Sequence, residues 1–471
     1  MFGKWKEKYE DLKSEHEALK LEHEALKVAF AELISKFEEL QTQFKKTSKN
    51  SSHSPSSDGM KKGTVKNSRE KSGKPNGGQP GHEGRTKELT PTPDKVIKIV
   101  PKEKCECGGA ILLATDAYTV RQVTDVEPVK IVTVEYRAHE GQCETCGKTH
   151  KSNFPKGVEG TSSYGERLKA WVCYLTTYQL IPLKRATELI RDILGIHISQ
   201  GFIVKSEREA YEALAEVEAR IKQEIIDSNV AGFDETGLRV MGMNHWLHIA
   251  STPTCTVYGA HRKRGKEAMN DMGILPFFKG TAVHDHWKSY FHYLCAHAEC
   301  NAHHLRDLLF IHEELGMEWA GKMASLLLRI KLHVDLSKTF GVDSLPQEDI
   351  ELYEAQYQEI LAGADQKNAP LKSSRMVKRM TAYEQETLLF MYDFEVPFTN
   401  NLAERDVRMP KAKQKISGGF RSKEGADSFA RTRGYLSTIR KRGKKAIDGL
   451  VAAFNGEATD FLYPNSNTCN A

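Results

Sequence analysis

The sequence predicts a multidomain α+β protein. Three observations predict it: an unbroken heptad of leucines at the N-terminus, two close cysteine pairs among alternating segments, and a switch from helical to strand periodicity after Ile226. With 471 residues there is chain enough for roughly three domains and a sizeable core.

Charge is unevenly spread. The formal net charge is only +5, but residues 44–101 carry 13 Lys/Arg against 5 Asp/Glu, and residues 399–445 carry 14 against 4. Those stretches together hold +18, leaving about −13 on the rest. Two basic segments on an otherwise acidic chain point to a polyanion, with nucleic acid the obvious candidate. Nothing at the charged start MFGKWKEKYE reads as a signal peptide, and no apolar run approaches the roughly 20 residues that span a bilayer. Nine unevenly spaced cysteines suit a reducing compartment. The expectation is a cytoplasmic protein with no membrane contact.

Trp5, Leu12, Leu19, Leu26, Leu33 and Leu40 fall seven apart, with Tyr9, His16, His23, Phe30, Phe37 and Phe44 as companions. Such a stripe needs a partner, so residues 1–46 are expected to form a leucine-zipper coiled coil that pairs protomers. Residues 47–100, rich in Ser, Gly, Lys, Pro and Asn, lack core formers and read as a flexible basic linker. Residues 101–155 hold Cys105, Cys107, Cys143 and Cys146, each pair followed by Gly, with candidate strands at Thr119–Val123 and Lys130–Tyr136 between them. Thiolates gathered that closely share a cation, and tetrahedral Zn²⁺ accepts four sulfurs, so a Cys₄ zinc-ribbon-like domain with structural Zn²⁺ is expected. Its first pair has one intervening residue where two are usual.

Residues 156–226 read as helices. LKRATELIRDIL at 183–194, a break at Gly195 and a restart capped by Ser199 give the helix-turn-helix outline of a DNA-binding region. From 227 to 310 strands alternate with helices: NVAGFD ending at Asp234, then Leu238–Met241, His245–Ser251 and Thr256–His261, a helix near Lys266–Met272, GTAVHD ending at Asp285, and a strand near Ala296–Asn301. That order is the order of an RNase H-like α/β core, with its last part at 396–442; residues 443–471 are read as a tail.

The chemistry asks for such placement. Two Mg²⁺ ions roughly 4 Å apart can activate a water or a 3′-OH and stabilise the leaving oxygen of a phosphodiester. Hard cations need several convergent oxygens. Asp234 on the first strand can sit beside Asp285 at the end of the fourth. The third carboxylate is expected from TNNLAERD, where Asn400 or Asn401 caps a helix and Glu404 projects from its first turn. Arg405, Arg408, Lys411, Lys413, Lys415 and Arg421 follow as phosphate contacts, with Pro410 ending or kinking the helix. Cys295, His297, Cys300, His303 and His304 form a dense ligand-like cluster, open to reading as a second zinc site or as residues bordering the acidic site.

These motifs in combination resemble the transposases of the IS66 group of bacterial insertion sequences. The resemblance spans nearly the whole chain: the zipper, NSSHSPSSDG and GGQPGHEG in the linker, the cysteine pairs, FDET, VHDHWKSYF, CNAHHLRDL, and NNLAERDVR leading to SGGFRS. It implies a DDE-type transposase with Asp234, Asp285 and Glu404 as its triad, two Mg²⁺ (or Mn²⁺) as cofactors, and element ends and target DNA as partners. It further implies a helical insertion over residues 311–395 between the last core strand and the Glu404 helix, a nucleoid-associated bacterial protein, and short accessory proteins encoded by the element. A structure-specific nuclease on the same core and a non-catalytic zinc-containing DNA-binding regulator are the competing readings.

Overall fold

The computed structural model describes residues 13, 16–24 and 27, then 88–464 apart from 102, 103, 105, 112–117, 128, 156, 159–161 and 365–368. Residues Lys61–Val134 form one compact unit, and Met1–Met60 with Glu135–Ala471 the other. Residues 13, 16–24 and 27 are helical and exposed, and residues 88–100 are exposed and without regular structure; the rest of the expected zipper and of the expected linker lies outside the described residues.

In the smaller unit the strands expected at Thr119–Val123 and Lys130–Tyr136 are absent: among the described residues no ladder forms there. Val120, Val123, Val132 and Val134 are exposed, so an alternating pattern exists without the buried face that stabilises a sheet. In the larger unit, the hairpin β1 (Glu140–Gln142) and β2 (Thr149–Lys151) presents Cys143 and Cys146 on its turn.

A helical block follows: α1 (Glu166–Cys173), a π turn at Tyr174–Tyr178, α2 (Leu183–Leu194), α3 (Gln200–Ala213) and α4 (Ala215–Ile226). The turn chemistry is as expected. Gly195 closes α2 in the left-handed region at φ 69°, and the Ser199 hydroxyl accepts the Phe202 amide at 3.0 Å to start α3.

The sheet has five strands: β3 (Val230–Val240), β4 (Met243–Ser251), β5 (Thr256–His261), β6 (Thr281–His284) and β7 (Ala296–Glu299), with α5 (Lys266–Met272) between β5 and β6. Their spatial order is β5-β4-β3-β6-β7, with β3 antiparallel to β4 and parallel to β6. One expectation is corrected. Asp234 does not end a strand; NVAGFD and Leu238–Met241 are halves of one long strand, because Glu235, Thr236 and Gly237 pair with His248, Leu247 and Trp246 without interruption. The chain turns only at Met241 and Gly242, both with positive φ.

Then come α6 (Asn301–Leu315) and four helices, α7 (Glu318–Thr339), α8 (Gln347–Ala362), α9 (Leu371–Ala382) and α10 (Glu384–Tyr392). They share a core of Leu308, Phe310, Met323, Leu327, Tyr357 and Met380 that reaches Val283 and Ala298 of the sheet. The boundary expected at 311 falls inside α6, which runs unbroken to Leu315. The chain closes with α11 (Asn401–Ser417), α12 (Lys423–Lys441), α13 (Ala446–Phe454) and α14 (Ala458–Leu462). Residues 443–464 are therefore no tail: Leu450, Ala453 and Leu462 are buried in the core that also holds Phe233 and Ile221.

Candidate functional site: a row of acidic residues beneath one helix

Strand register places the first two carboxylates. Val230, Ala231 and Gly232 pair with Thr281, Ala282 and Val283, and two residues further along that register stand Asp234 and Asp285. Neighbouring strands lie about 4.8 Å apart. On the other side of β6, His284 pairs with Glu299, so the next row brings Asp285 level with Cys300 at the start of α6.

The third carboxylate comes from α11, which is fastened to β3 at both ends. At its start the helix approaches so closely that a Cβ on Gly232 would meet Asn400 Oδ1 at 2.4 Å and Ala403 Cβ at 3.5 Å. At its end, a Cβ on Gly419 would meet the Arg239 carbonyl oxygen at 2.5 Å, and Phe420 exchanges backbone hydrogen bonds with Arg239 and Met241. Both glycines are required by close approach. Between these fastenings Val407 packs on Leu247, Ile249 and Tyr258. The helix can then neither slide nor roll, and Glu404 is held over the strand carrying Asp234.

Two expectations about α11 are corrected. Asn400 occupies the capping position, but its amide caps nothing; it donates to the Phe233 carbonyl at 2.7 Å. Pro410 does not end the helix, which continues seven residues beyond it. Proline removes the hydrogen bond to the carbonyl four residues back, that of Asp406, and the Tyr258 hydroxyl donates to that oxygen at 3.0 Å. A partner waiting for the orphaned carbonyl lets the helix run through.

The electrostatics are lopsided. Burial raises the Asp234 carboxyl well above its usual value, and the charges of Glu235, Asp285 and Glu404 raise it further. Glu235 points to the opposite face of β3, where Tyr290 donates to it at 2.5 Å and Arg264 pairs with it at 2.6 Å; burial and Asp285 still raise it. Arg264 lies between the rings of Trp246 and Trp287, 4.8 and 4.1 Å from their centroids. Asp285 Oδ1 accepts the Trp287 amide at 3.1 Å. Glu404 differs: burial opposes its charge, but His303 at 3.3 Å and Arg306 at 3.7 Å outweigh burial and hold it below its usual value. Among the described residues the only close triplet of ligand-type atoms is Cys300, His303 and Glu404.

The dense Cys/His cluster thus disperses. Cys300 and His303 turn to Glu404. His304 and His286 flank the buried Glu299 carboxylate, His304 at 2.7 Å. His297 meets the buried His284 at 2.9 Å, 4.0 Å from Cys295. Burial pushes His284 down to about 3 and Cys300 up to about 12, the latter helped by Glu404.

Of the expected phosphate contacts, Arg405, Arg408, Lys415 and Arg421 are exposed and Lys411 is half-buried. Lys413 is not available: it faces Glu207, and its Nζ reaches the Thr176 carbonyl at 3.5 Å. Glu235, Arg264 and Tyr290 belong to the site, yet sequence reasoning missed them. Glu235 adjoins Asp234 in FDET, and Arg264 lies in a basic run that reads as surface charge.

At the cysteine knuckles, Gly108 and Gly147 have φ 86° and 69°. Backbone N–H groups of Cys146 and Thr145 lower the Cys143 thiol, the environment of a metal-binding thiolate. Cys105 lies outside the described residues.

A mixed sheet whose interior strands β3 and β6 carry Asp234 and Asp285, with Glu404 on the helix fastened to β3, gathers carboxylates of the kind that hard cations take as ligands. Residues 161–428 match the family described as Transposase IS66 family, and the chain belongs to that family, whose transposases cut and join DNA. Residues 6–88 match a second family, of unknown function (DUF6444). No curated protein matches the chain. Among solved structures it is similar to the Drosophila P element transposase strand transfer complex, at 11% identity and a TM-score of 0.32, covering 62% of this chain and 95% of that one. Among the described residues no helix is long and apolar enough to cross a membrane.

Proposed function

We propose that this transposase works by DDE chemistry on an RNase H-like core: nicking at element ends, then attack of the freed 3′-OH on target DNA. Asp234, Asp285 and Glu404 are the ligands for two Mg²⁺ or Mn²⁺ ions. The observation that carries this reading is the meeting of three elements, the β3–β6 register that levels Asp234 with Asp285 and the doubly fastened α11 that brings Glu404 to β3. The donor set fits the ions. Three mutually repelling carboxylates with one partly offsetting guanidinium make a site stabilised by divalent cations.

Bound there, the two ions would supply charge neutralisation at both the attacking and the leaving oxygen. The chain's own residues do the rest. Asp234 is half-buried, so bulk water screens its charge only in part. His303 and Arg306 hold the Glu404 carboxylate ionised and oriented. Arg405, Arg408, Lys411, Lys415 and Arg421 supply cations for the DNA backbone, while the α2–Gly195–α3 turn supplies a second DNA contact.

Further parts of the reading are a zipper over residues 1–46 that pairs protomers so that two ends meet, and a structural Zn²⁺ held by Cys105, Cys107, Cys143 and Cys146. Cys143 and Cys146 fit such an ion, being adjacent on a hairpin turn with backbone donors at sulfur. Short accessory proteins encoded by the element complete the proposed set of partners, in the bacterial cytoplasm at the nucleoid.

The test is cleavage of end-containing DNA in Mg²⁺. Asp234→Asn and Glu404→Gln should abolish cleavage while DNA binding persists; full cleavage by either ends the assignment. Strand joining by the wild type separates a transposase of this chemistry from a structure-specific nuclease.

A further inference from the structure

We propose that Cys300, His303 and Glu404 form a zinc-binding site, and that zinc there withdraws Glu404 from the magnesium centre. The second half rests on the reading of Glu404 as a magnesium ligand; the first does not.

The geometry comes from two helix starts. Cys300 precedes the first residue of α6, and His303 lies in its first turn, so the spacing of three sets both side chains on one face. Glu404 lies in the first turn of α11, and the backbone N–H of Asn400 donates to Cys300 Sγ at 3.1 Å, locking the two starts together. The outcome is one sulfur, one imidazole nitrogen and one carboxylate oxygen within 4.8 Å of one another. Zinc bonds of about 2.0–2.3 Å in a tetrahedron set ligand atoms roughly 3.3–3.8 Å apart. Here His303 Nε2 is 3.3 Å and Cys300 Sγ 3.7 Å from Glu404 Oε1. Little movement is needed.

The donor types select the ion. Mg²⁺ takes oxygen ligands in a strict octahedron and gains nothing from thiolate or imidazole, whereas zinc favours both. Cys300 is 1% exposed, while the side chains of His303 and Glu404 are 21% and 26% exposed. The site is therefore closed behind the sulfur and open in front, where a fourth ligand and the entering ion have access. On binding, the Cys300 thiol proton, now donated towards Glu404, leaves to solvent, the proton on His303 Nε2 passes to solvent or to Nδ1, and both contacts to Glu404 are replaced by zinc bonds to sulfur, to the freed Nε2 and to Oε1. Glu404 cannot then serve magnesium in the same geometry.

The test uses the full chain and Zn²⁺ itself. Bound zinc is counted after equilibrium dialysis for wild type, Cys300→Ser and His303→Ala, with melting curves confirming that each is folded. Each variant should hold one ion per chain fewer than wild type, whatever the other cysteines bind. His303→Ala keeps the test decisive if the buried Cys300 variant does not fold. In parallel, cleavage in Mg²⁺ is titrated with zinc, each protein scaled to its own zinc-free rate. The zinc level halving activity should rise by more than the roughly 10- to 100-fold that outer-shell changes produce. Equal zinc counts in wild type and variants, or unchanged sensitivity, would overturn the proposal. If instead Glu404→Gln cleaves fully, the magnesium reading fails and the zinc count still stands or falls by itself.

Discussion

Gly232 and Asn400 are in contact so close that no side chain other than hydrogen fits: a Cβ at 232 would fall 2.4 Å from Asn400 Oδ1. This contact, two residues before Asp234 on the same face of β3, sets the distance between the strand that carries one acidic residue and the helix that carries another. Glu404 reaches the sheet because residue 232 is glycine.

Gly232→Ala should therefore act on both stability and activity. Overpacking at a site that cannot yield costs about 1–3 kcal/mol. The expected outcome is a lower Tm together with a loss of cleavage larger than the lost stability explains, since either the Asn400 side chain gives up its hydrogen bond to the Phe233 carbonyl or α11 shifts away from β3. A variant with the lowered Tm but wild-type cleavage would show that Glu404 tolerates the shift.

Asp406 is the polar hub under α11. Its carboxylate accepts from Ser251 at 2.8 Å and Thr256 at 2.9 Å, and pairs with Lys441 at 3.0 Å. Both partners of that ion pair are largely buried, with side chains 13% and 14% exposed. Asp406→Ala leaves Lys441 uncompensated and should cost about 3–5 kcal/mol. Chemical denaturation checks it, and a loss under 1 kcal/mol would mean that the backbone carbonyls around Lys441 suffice.

The acidic row is strained without metal. Asp234 has a folded-state value raised above its usual 3.8, so its share of stability is full below pH 3.8 and is lost as pH rises through the folded value. At neutral pH in chelator, Asp234→Asn should raise Tm by removing a buried repelling charge. Mg²⁺ should raise the wild-type Tm and do little for the variant. A variant less stable than wild type in chelator would contradict this account.

His284 slopes the other way. It is buried and neutral, held between the Asp285 carbonyl and His297, with its folded value down at about 3 against 6.5 in the unfolded chain. Its stabilising share is present above pH 6.5 and is lost as pH falls, about 2 kcal/mol by pH 5. Melting curves between pH 7.5 and 5 in the Asp234→Asn background should show a loss to which the buried His248, His286 and His304 also contribute, and His284→Phe should reduce it by about its own share.

The cations of α11 divide into two kinds. Arg405, Arg408, Lys415 and Arg421 are exposed, so replacing each with Ala should weaken DNA binding across sequences and lower the salt slope by about one. Lys413→Ala should leave the salt slope alone and reduce stability, because its ammonium faces Glu207 and the π turn of the helical block. Salt-dependent binding of a short duplex distinguishes them.

Most of the site residues were legible in the sequence, since chemistry leaves marks there. Asp234 and Asp285 follow apolar strand segments, Glu404 follows a run of helix-starting asparagines, period-two alternation announces β4 and β5, and a short apolar run announces β6. The sequence by itself determined these elements, their order and the acidic residues they carry, because local periodicity and turn chemistry depend on neighbours along the chain. Only the tertiary structure decided what depends on neighbours across it. Asp234 lies mid-strand because three residues pair with β4, and Pro410 sits inside a helix because Tyr258 serves the Asp406 carbonyl. The Cys/His cluster of residues 295–304 parts company because His297 lies on β7 while the start of α6 turns Cys300 and His303 to Glu404 and His304 to Glu299. The distance from Glu404 to β3 was set by two glycines whose need is visible only from the backbone atoms that approach them.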